Sequence, residues 1–307
     1  AIGTLWAAYL SKSKEEIIGV VARKDSAQLL RERGIHIEGL AGTWPQKIKV
    51  TADVKEVGPV DVLLLCVKSY ATKDAMLCAK PLVNDDTVVV TLQNGIGNIE
   101  MISEIVGSEK VIGGVTSMGS TLLDTGRVRL AGKGETVIGF LDGKTPVEIR
   151  TVRELFNKVG LETKITRDIK AVLWSKLAVN VGINALTALT HLPNGKLIEF
   201  EGTRKILRSA VTEAIRVAKR KRIKLIFDDP LAKVEAVCEA TAANCSSMLQ
   251  DVLRKKRTEI DFINGVIVRQ GQELGIPVPV NAMLVDLIKT IESSYEVSVF
   301  SGCSRPS

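Results

Sequence analysis

One lysine and two asparagines recur every four residues in the otherwise apolar stretch 171–190, AVLWSKLAVNVGINALTALT. A step of four rotates a helix by only about 40°, so Lys176, Asn180 and Asn184 share one face. Trp174, Leu177, Val179, Val181 and Ile183 predict that most of this helix is buried. An unpaired buried ammonium costs several kcal/mol, and each unsatisfied amide costs about 1–3 kcal/mol. The three groups therefore need partners, either polar groups of the protein itself or a polar ligand in a cleft. A lysine so placed can stabilise a developing oxyanion and give it a proton.

A second polar set lies further on. Asn244 and Ser247 are three apart in TAANCSSM and read as one helical face. Glu259 opens the amphipathic stretch TEIDFING, either as a first-turn acid favoured by the helix dipole, with Thr258 as cap, or as part of a site. Asn194 sits in the turn HLPNG.

Two more candidates stand at strand ends. Lys68 follows the apolar run DVLLLCV, and Asn94 follows TVVVTLQ. Open α/β sheets bind ligands outside the carboxyl ends of their strands. A lysine there places a point charge on a phosphate or carboxylate, and an asparagine offers both a donor and an acceptor. Taken singly, each reads equally well as a helix-start or turn residue; together, at matching positions, they favour a site. The chain opens Ala1-Ile2-Gly3 before a helical pattern, TLWAAYL. Gly3 fits the last glycine of a G-x-G-x-x-G turn, which would put the first strand and the two earlier glycines upstream of residue 1. After the short strand 17–21 come Arg23 and Lys24, with no acid before Asp25. That pattern favours a 2′-phosphate, hence NADP over NAD.

The elements that must position these groups fall into two blocks. Up to about residue 165, strand-like and helix-like segments alternate: 17–21, 61–67, 71–80, 87–92 and 99–106, then strands at 110–117, 127–130 and 135–140, a helix at 146–159 and a last strand at 161–165. This βαβ rhythm predicts a parallel sheet covered on both faces, with an antiparallel or mixed far edge. Beyond it, 168–190, 202–222, 230–253 and 259–273 read as helices. The expected division is an α/β Rossmann-type domain over 1–167 and an all-helical domain over 168–307.

Composition excludes several classes. The 307 residues include 45% apolar and 25% charged residues, ordinary for a globular protein of about two domains. Two histidines cannot build a His-rich zinc site. Five cysteines without a C-x-x-C pair fit a reducing, cytoplasmic location better than a disulfide framework, and no metal site is expected. No signal peptide is visible, and the longest uninterrupted apolar runs fall short of a membrane helix, so no membrane partner is expected. The net charge is +7, with basic runs at 216–224 and 254–257. These runs carry no aromatics, so they read as solvated helix ends rather than a nucleic-acid surface.

The motifs AIGTLWAAYL, VARKDS, CVKSY, LQNGIGN, GGVTSMG, WSKLAVNVGINALTAL, LPNG, ATAANCSSMLQD and RTEIDFINGVIV, in this order, resemble the 2-dehydropantoate 2-reductase (ketopantoate reductase) family over essentially the whole chain. The resemblance implies reduction of 2-dehydropantoate to pantoate with NADPH, on the way to pantothenate and coenzyme A. It also implies a Rossmann-type domain followed by a helical domain of the 6-phosphogluconate-dehydrogenase-like type, with the active site in the cleft between them. Lys176 matches the family's proton donor. Asn180, Asn184, Asn194 and Ser247 match substrate-binding positions, with Asn244 in the same motif. Ile2, Gly3, Arg23, Lys68, Asn94 and Ser120 fall on the cofactor side, and Glu259 matches an acid near the nicotinamide ribose and the lysine. The partner implied is a small-molecule 2-oxo acid. Two alternatives stay open: a related reductase of another 2-oxo acid, and a cofactor-binding protein without turnover. A homodimer and a monomer are equally compatible with the sequence.

Overall fold

The computed structural model describes residues 1–40 and 42–297; Cys303 lies outside them. The chain forms two compact units, Ala1–Gln93 with Gly97–Ile169, and Asn94–Ile96 with Lys170–Ser307. A three-residue piece of the first half, Asn94–Ile96, groups with the second unit.

The first unit begins with α1 (Ile2–Leu10), β1 (Ile18–Val20), α2 (Lys24–Arg33), β2 (Ile35–Gly39), β3 (Trp44–Gln46) and β4 (Lys49–Thr51). Then follow β5 (Val62–Leu65), α3 (Thr72–Ala79), β6 (Val88–Thr91), α4 (Asn98–Val106) and β7 (Val111–Thr116). It ends with β8 (Gly119–Asp124), β9 (Arg127–Gly132), β10 (Thr136–Gly139), α5 (Val147–Lys158) and β11 (Thr163–Ile165). The main sheet has the order β11-β10-β7-β6-β5. Strands β5, β6 and β7 are parallel, β10 runs antiparallel to β7, and β11 is parallel to β10. β6 is buried along its length, which explains its unbroken Val-Val-Val-Thr. Helix α5 presents Ile149, Val152 and Phe156 to the core, where the Phe156 ring meets Trp6 edge-on at 4.6 Å.

One expectation fails here. The segment 127–130 was read as part of the main sheet's far edge. Instead β9 joins a separate four-stranded sheet, order β3-β2-β9-β8. The reason is its side chains. Arg127 and Arg129 both reach Glu38 on the neighbouring β2, while Val128 and Leu130 turn inward.

The second unit is helical: α6 (Ile169–Thr190), α7 (Lys196–Glu199), α8 (Glu201–Arg220), α9 (Pro230–Ala240), α10 (Ser247–Leu253), α11 (Asn264–Leu274) and α12 (Pro279–Ser293). Helix α6 is long and apolar enough by composition to cross a membrane, yet 72% of that window is buried. It supplies Trp174, Leu177, Val181, Ile183 and Leu186 to the core, against Leu207, Val211 and Val217 of α8. α12 is capped by a buried carboxylate: Glu213 of α8 accepts from the backbone N–H groups of Val280 and Asn281, both at 3.0 Å.

The single helix expected over 230–253 is two. The Ser246 hydroxyl accepts the N–H of Leu249 at 3.1 Å and so starts a new helix, α10. Asn244 therefore stands in the connecting loop, not three along one helix from Ser247. The helix expected from Glu259 begins instead at Asn264, after a short 3-10 turn over Ile260–Phe262, because Ile263 takes non-helical angles (φ −112°, ψ −92°).

Candidate active site

In the second unit, Lys176, Asn180 and Asn184 all lie on α6, as the four-residue spacing requires. Burial pushes the Lys176 ammonium down to about 8, and the charge of Glu259 partly offsets this by favouring protonation. Glu259 is 5% exposed. The residue is therefore not a solvated first-turn acid; it is a buried carboxylate within electrostatic reach of the lysine. Thr258 holds the local turn through its hydroxyl, which accepts from Ile260 N–H at 3.2 Å.

Asn180 is half-buried and Asn184 is buried. The Asn184 Nδ2 has no hydrogen-bond partner among the described residues. Its neighbour one turn on, Thr187, has its hydroxyl 2.7 Å from that of Ser246. The sequence reading passed over Ser246 in favour of Ser247, which is half-buried in the first turn of α10. The signal available was a serine pair ahead of an apolar run, with Ser246 three residues before Leu249, a spacing that suits a helix cap.

Asn194 is brought to the same loop that carries Asn244. Its backbone N–H donates to the Asn244 carbonyl at 3.0 Å, and Gly195 N–H donates to Ala242 O at 3.1 Å. A Cβ on Gly195 would lie 2.5 Å from that of Ala242, so glycine is required for this approach. The Asn194 amide orientation is fixed. Its Nδ2 donates to Thr241 Oγ1 at 2.8 Å, since the Thr241 proton is given to Val237 O at 2.7 Å. This leaves the buried Asn194 Oδ1 without a donor among the described residues. The unit thus holds one buried unmatched donor and one buried unmatched acceptor on residues picked out by spacing and turn chemistry.

Asn94 belongs to this unit too. The backbone N–H of Ile96 donates to Phe262 O at 3.1 Å, three residues beyond Glu259. Gly95 has φ +83°, and a Cβ there would stand 2.4 Å from Phe262 O. Asn-Gly is therefore more than a turn: the glycine lets residues 94–96 lie against the 259–262 turn.

In the first unit, Gly3 lies in the first turn of α1, where a Cβ would be 2.8 Å from the Cβ of Cys66 at the end of β5. Ile2 is half-buried beside it, and the helix start has no side-chain cap and no acid in its first turn. Lys68 lies three residues beyond the end of β5, immediately before a 3-10 turn, with its carbonyl accepting from Ala71 N–H at 2.8 Å. Arg23, just before α2, and Lys24, its first residue, are both exposed. Ser120 is half-buried on β8, in the second sheet, beside a register irregularity at Gly119.

A Rossmann-type unit, followed by a helical unit bearing a desolvated lysine and a buried carboxylate, defines a two-domain oxidoreductase. The comparisons with known proteins narrow this. The ketopantoate reductase PanE/ApbA family model matches residues 1–143, and that of its C-terminal domain matches 168–292. A 2-dehydropantoate 2-reductase of Pyrococcus horikoshii is 37% identical over 294 residues, covering 95% of each chain. The crystal structure of a PanE/ApbA family ketopantoate reductase from Ralstonia eutropha superposes with a TM-score of 0.87 at 32% identity, covering 94% of each chain. D-mandelate dehydrogenase, solved with NADH and anilino(oxo)acetate, superposes with a TM-score of 0.90 at 25% identity over 97% of each chain. The chain belongs to the ketopantoate reductase family.

Proposed function

We propose that the protein reduces 2-dehydropantoate to pantoate with NADPH. The observation that carries this reading is Lys176, an ammonium lowered to about 8 by burial yet favoured by Glu259, on the same helix as the unmatched donor of Asn184. Family membership and the 2-dehydropantoate 2-reductase relatives support the substrate.

The residues present fit a nicotinamide dinucleotide. Gly3 lacks the side chain that would push α1 away from the end of β5, which is the close packing such folds require of their last fingerprint glycine. Lys68 and Arg23 offer positive charge, and the first turn of α1 offers N–H donors, to phosphates, with Ile2 and Ser120 as further contacts. Asn94 and Glu259 would hold the nicotinamide riboside through hydrogen bonds. When bound, the cofactor supplies a hydride to the keto carbon.

The chain's own residues do the rest. As charge grows on the carbonyl oxygen, the Lys176 ammonium stabilises it and then transfers its proton from Nζ. Glu259 keeps that ammonium charged in a desolvated setting. Asn184 Nδ2 donates to the substrate carboxylate, and Asn194 Oδ1 accepts from the substrate hydroxyl. Asn180, Asn244 and Ser247 complete the polar set.

The superposition on D-mandelate dehydrogenase favours a second reading, in which another 2-oxo acid is reduced. Initial rates with NADPH and NADH against 2-dehydropantoate and a panel of 2-oxo acids separate the two. The proposal requires the highest kcat/KM for 2-dehydropantoate with NADPH; a higher value for an aromatic 2-oxo acid or for NADH overturns it. Replacing Arg23 and Lys24 with alanine should raise KM for NADPH and not for NADH.

A further inference from the structure

A chain of hydrogen bonds, buried at Thr91, Thr72, Asn98 and Ser69 and open at Val67, runs just beyond the carboxyl ends of β5 and β6. Thr91 donates its hydroxyl proton to Gln93 Oε1 at 2.8 Å. The Gln93 amide nitrogen donates to the Val67 carbonyl at 2.7 Å and to Thr72 Oγ1 at 2.8 Å. Thr72 then donates to Asn98 Oδ1 at 2.9 Å, and Asn98 Nδ2 donates to Ser69 Oγ at 3.3 Å. The directions are fixed by chemistry. A carbonyl only accepts, so the Gln93 atom facing Val67 must be the amide nitrogen, which leaves Gln93 Oε1 to accept from Thr91. Thr91, Thr72, Asn98 and Ser69 are each under 5% exposed.

The two ends of this chain grip the neighbours of one residue. Val67 and Ser69 flank Lys68, and they are held from partners 26 and 29 residues away in sequence. An apolar pair of the same shape would tie the two strand ends about as stably. What the polar chain adds is direction, because each bond sets the orientation of the next. We infer that Thr72 and Gln93 are positioning residues that aim Lys68 at the phosphates of the dinucleotide. This rests on the reading of Lys68 as a cofactor contact.

The test is NADPH affinity of the full-length protein, followed by fluorescence titration, so that turnover is not the readout. Thr72→Val keeps shape and removes one donor and one acceptor. It should weaken NADPH binding about tenfold, the scale of one hydrogen bond's net worth. Thr72→Ser, which keeps the hydroxyl, should bind like the wild type. KM for the 2-oxo acid should not move in either. Gln93→Leu is the second variant, half-buried and less exposed to a folding failure, and it should weaken NADPH binding to a similar degree. In a Lys68→Ala background Thr72→Val should have no further effect, since the chain acts through the lysine.

Unchanged affinity in both Thr72→Val and Gln93→Leu overturns the inference. So does an additive loss in the double variant, or an equal rise in KM for the 2-oxo acid, either of which marks general loosening. The underlying reading fails separately. If the wild type binds NADPH and Lys68→Ala binds it equally well, Lys68 is not a cofactor contact and the positioning role falls with it. If Lys68→Ala weakens binding but Thr72→Val and Gln93→Leu do not, the positioning role alone is wrong.

Discussion

Replacing Glu259 with glutamine removes a charge while keeping size and hydrogen-bonding capacity, and its effect can be worked from the lysine it faces. Burial holds Lys176 at about 8, and Glu259 is the group that opposes this depression. A proton donor with a pKa of about 8 is about 90% charged at pH 7 and about 10% charged at pH 9, so wild-type kcat should fall through a midpoint near pH 8. Loss of an opposing charge of this kind lowers a lysine pKa by about one unit. Glu259→Gln should then have its midpoint near about pH 7. At pH 8 the protonated fraction would drop from about one half to about one tenth, a roughly fivefold loss, shrinking to almost nothing near about pH 6. The assay is initial-rate kinetics at saturating NADPH and 2-oxo acid across that range. The sign is what matters: the alkaline limb must move to lower pH. A Glu259→Gln profile that superimposes on the wild type, or that moves upward, would refute the assignment of Lys176 as the proton donor held charged by Glu259.

Other substitutions test the same framework. Lys176→Met should reduce kcat by about 10²–10⁴-fold, as loss of a general acid does, while leaving NADPH affinity by titration unchanged. Gly95→Ala should destabilise the protein by about 1–3 kcal/mol or more in denaturant unfolding, because its Cβ would meet Phe262 O at 2.4 Å with φ at +83°. Gly58→Ala is the control: φ is +74° but nothing lies within 4 Å, so it should cost only about 1 kcal/mol. Ser246→Ala should cost about 1 kcal/mol by removing the cap of α10, whereas Ser247→Ala should leave the unfolding midpoint nearly unchanged.

Much of the helical unit was legible because its signals are local. The four-residue recurrence of Lys176, Asn180 and Asn184 fixes a shared face whatever surrounds it, and α6 follows that periodicity from Ile169 to Thr190. The unbroken apolar run ending at Leu92 likewise announces β6, because a strand covered on both faces has no need of alternation. Other features depend on partners far away in sequence. The separate sheet of β2, β3, β8 and β9 pairs segments about ninety residues apart, where Arg127 and Arg129 meet Glu38, and short strands of three to six residues leave little periodicity to read. The Ser246 cap competes with a continuous helical pattern on either side, so the break at 241–246 escapes a reading by hydrophobic spacing. The role of Gly95 looks like turn chemistry until Phe262 is placed against it. The association of Asn94–Ile96 with the second unit has no local sequence signal at all.

The central claim is that Lys176 protonates the oxyanion of 2-dehydropantoate during reduction by NADPH. The most direct measurement follows NADPH oxidation with 2-dehydropantoate near neutral pH, with the product identified by mass spectrometry, for the wild type and for Lys176→Met side by side. The account predicts stoichiometric pantoate from the wild type and almost none from the variant, although both bind NADPH. Pantoate formed at comparable rates by both proteins, or no pantoate from a wild type that binds NADPH, would contradict it.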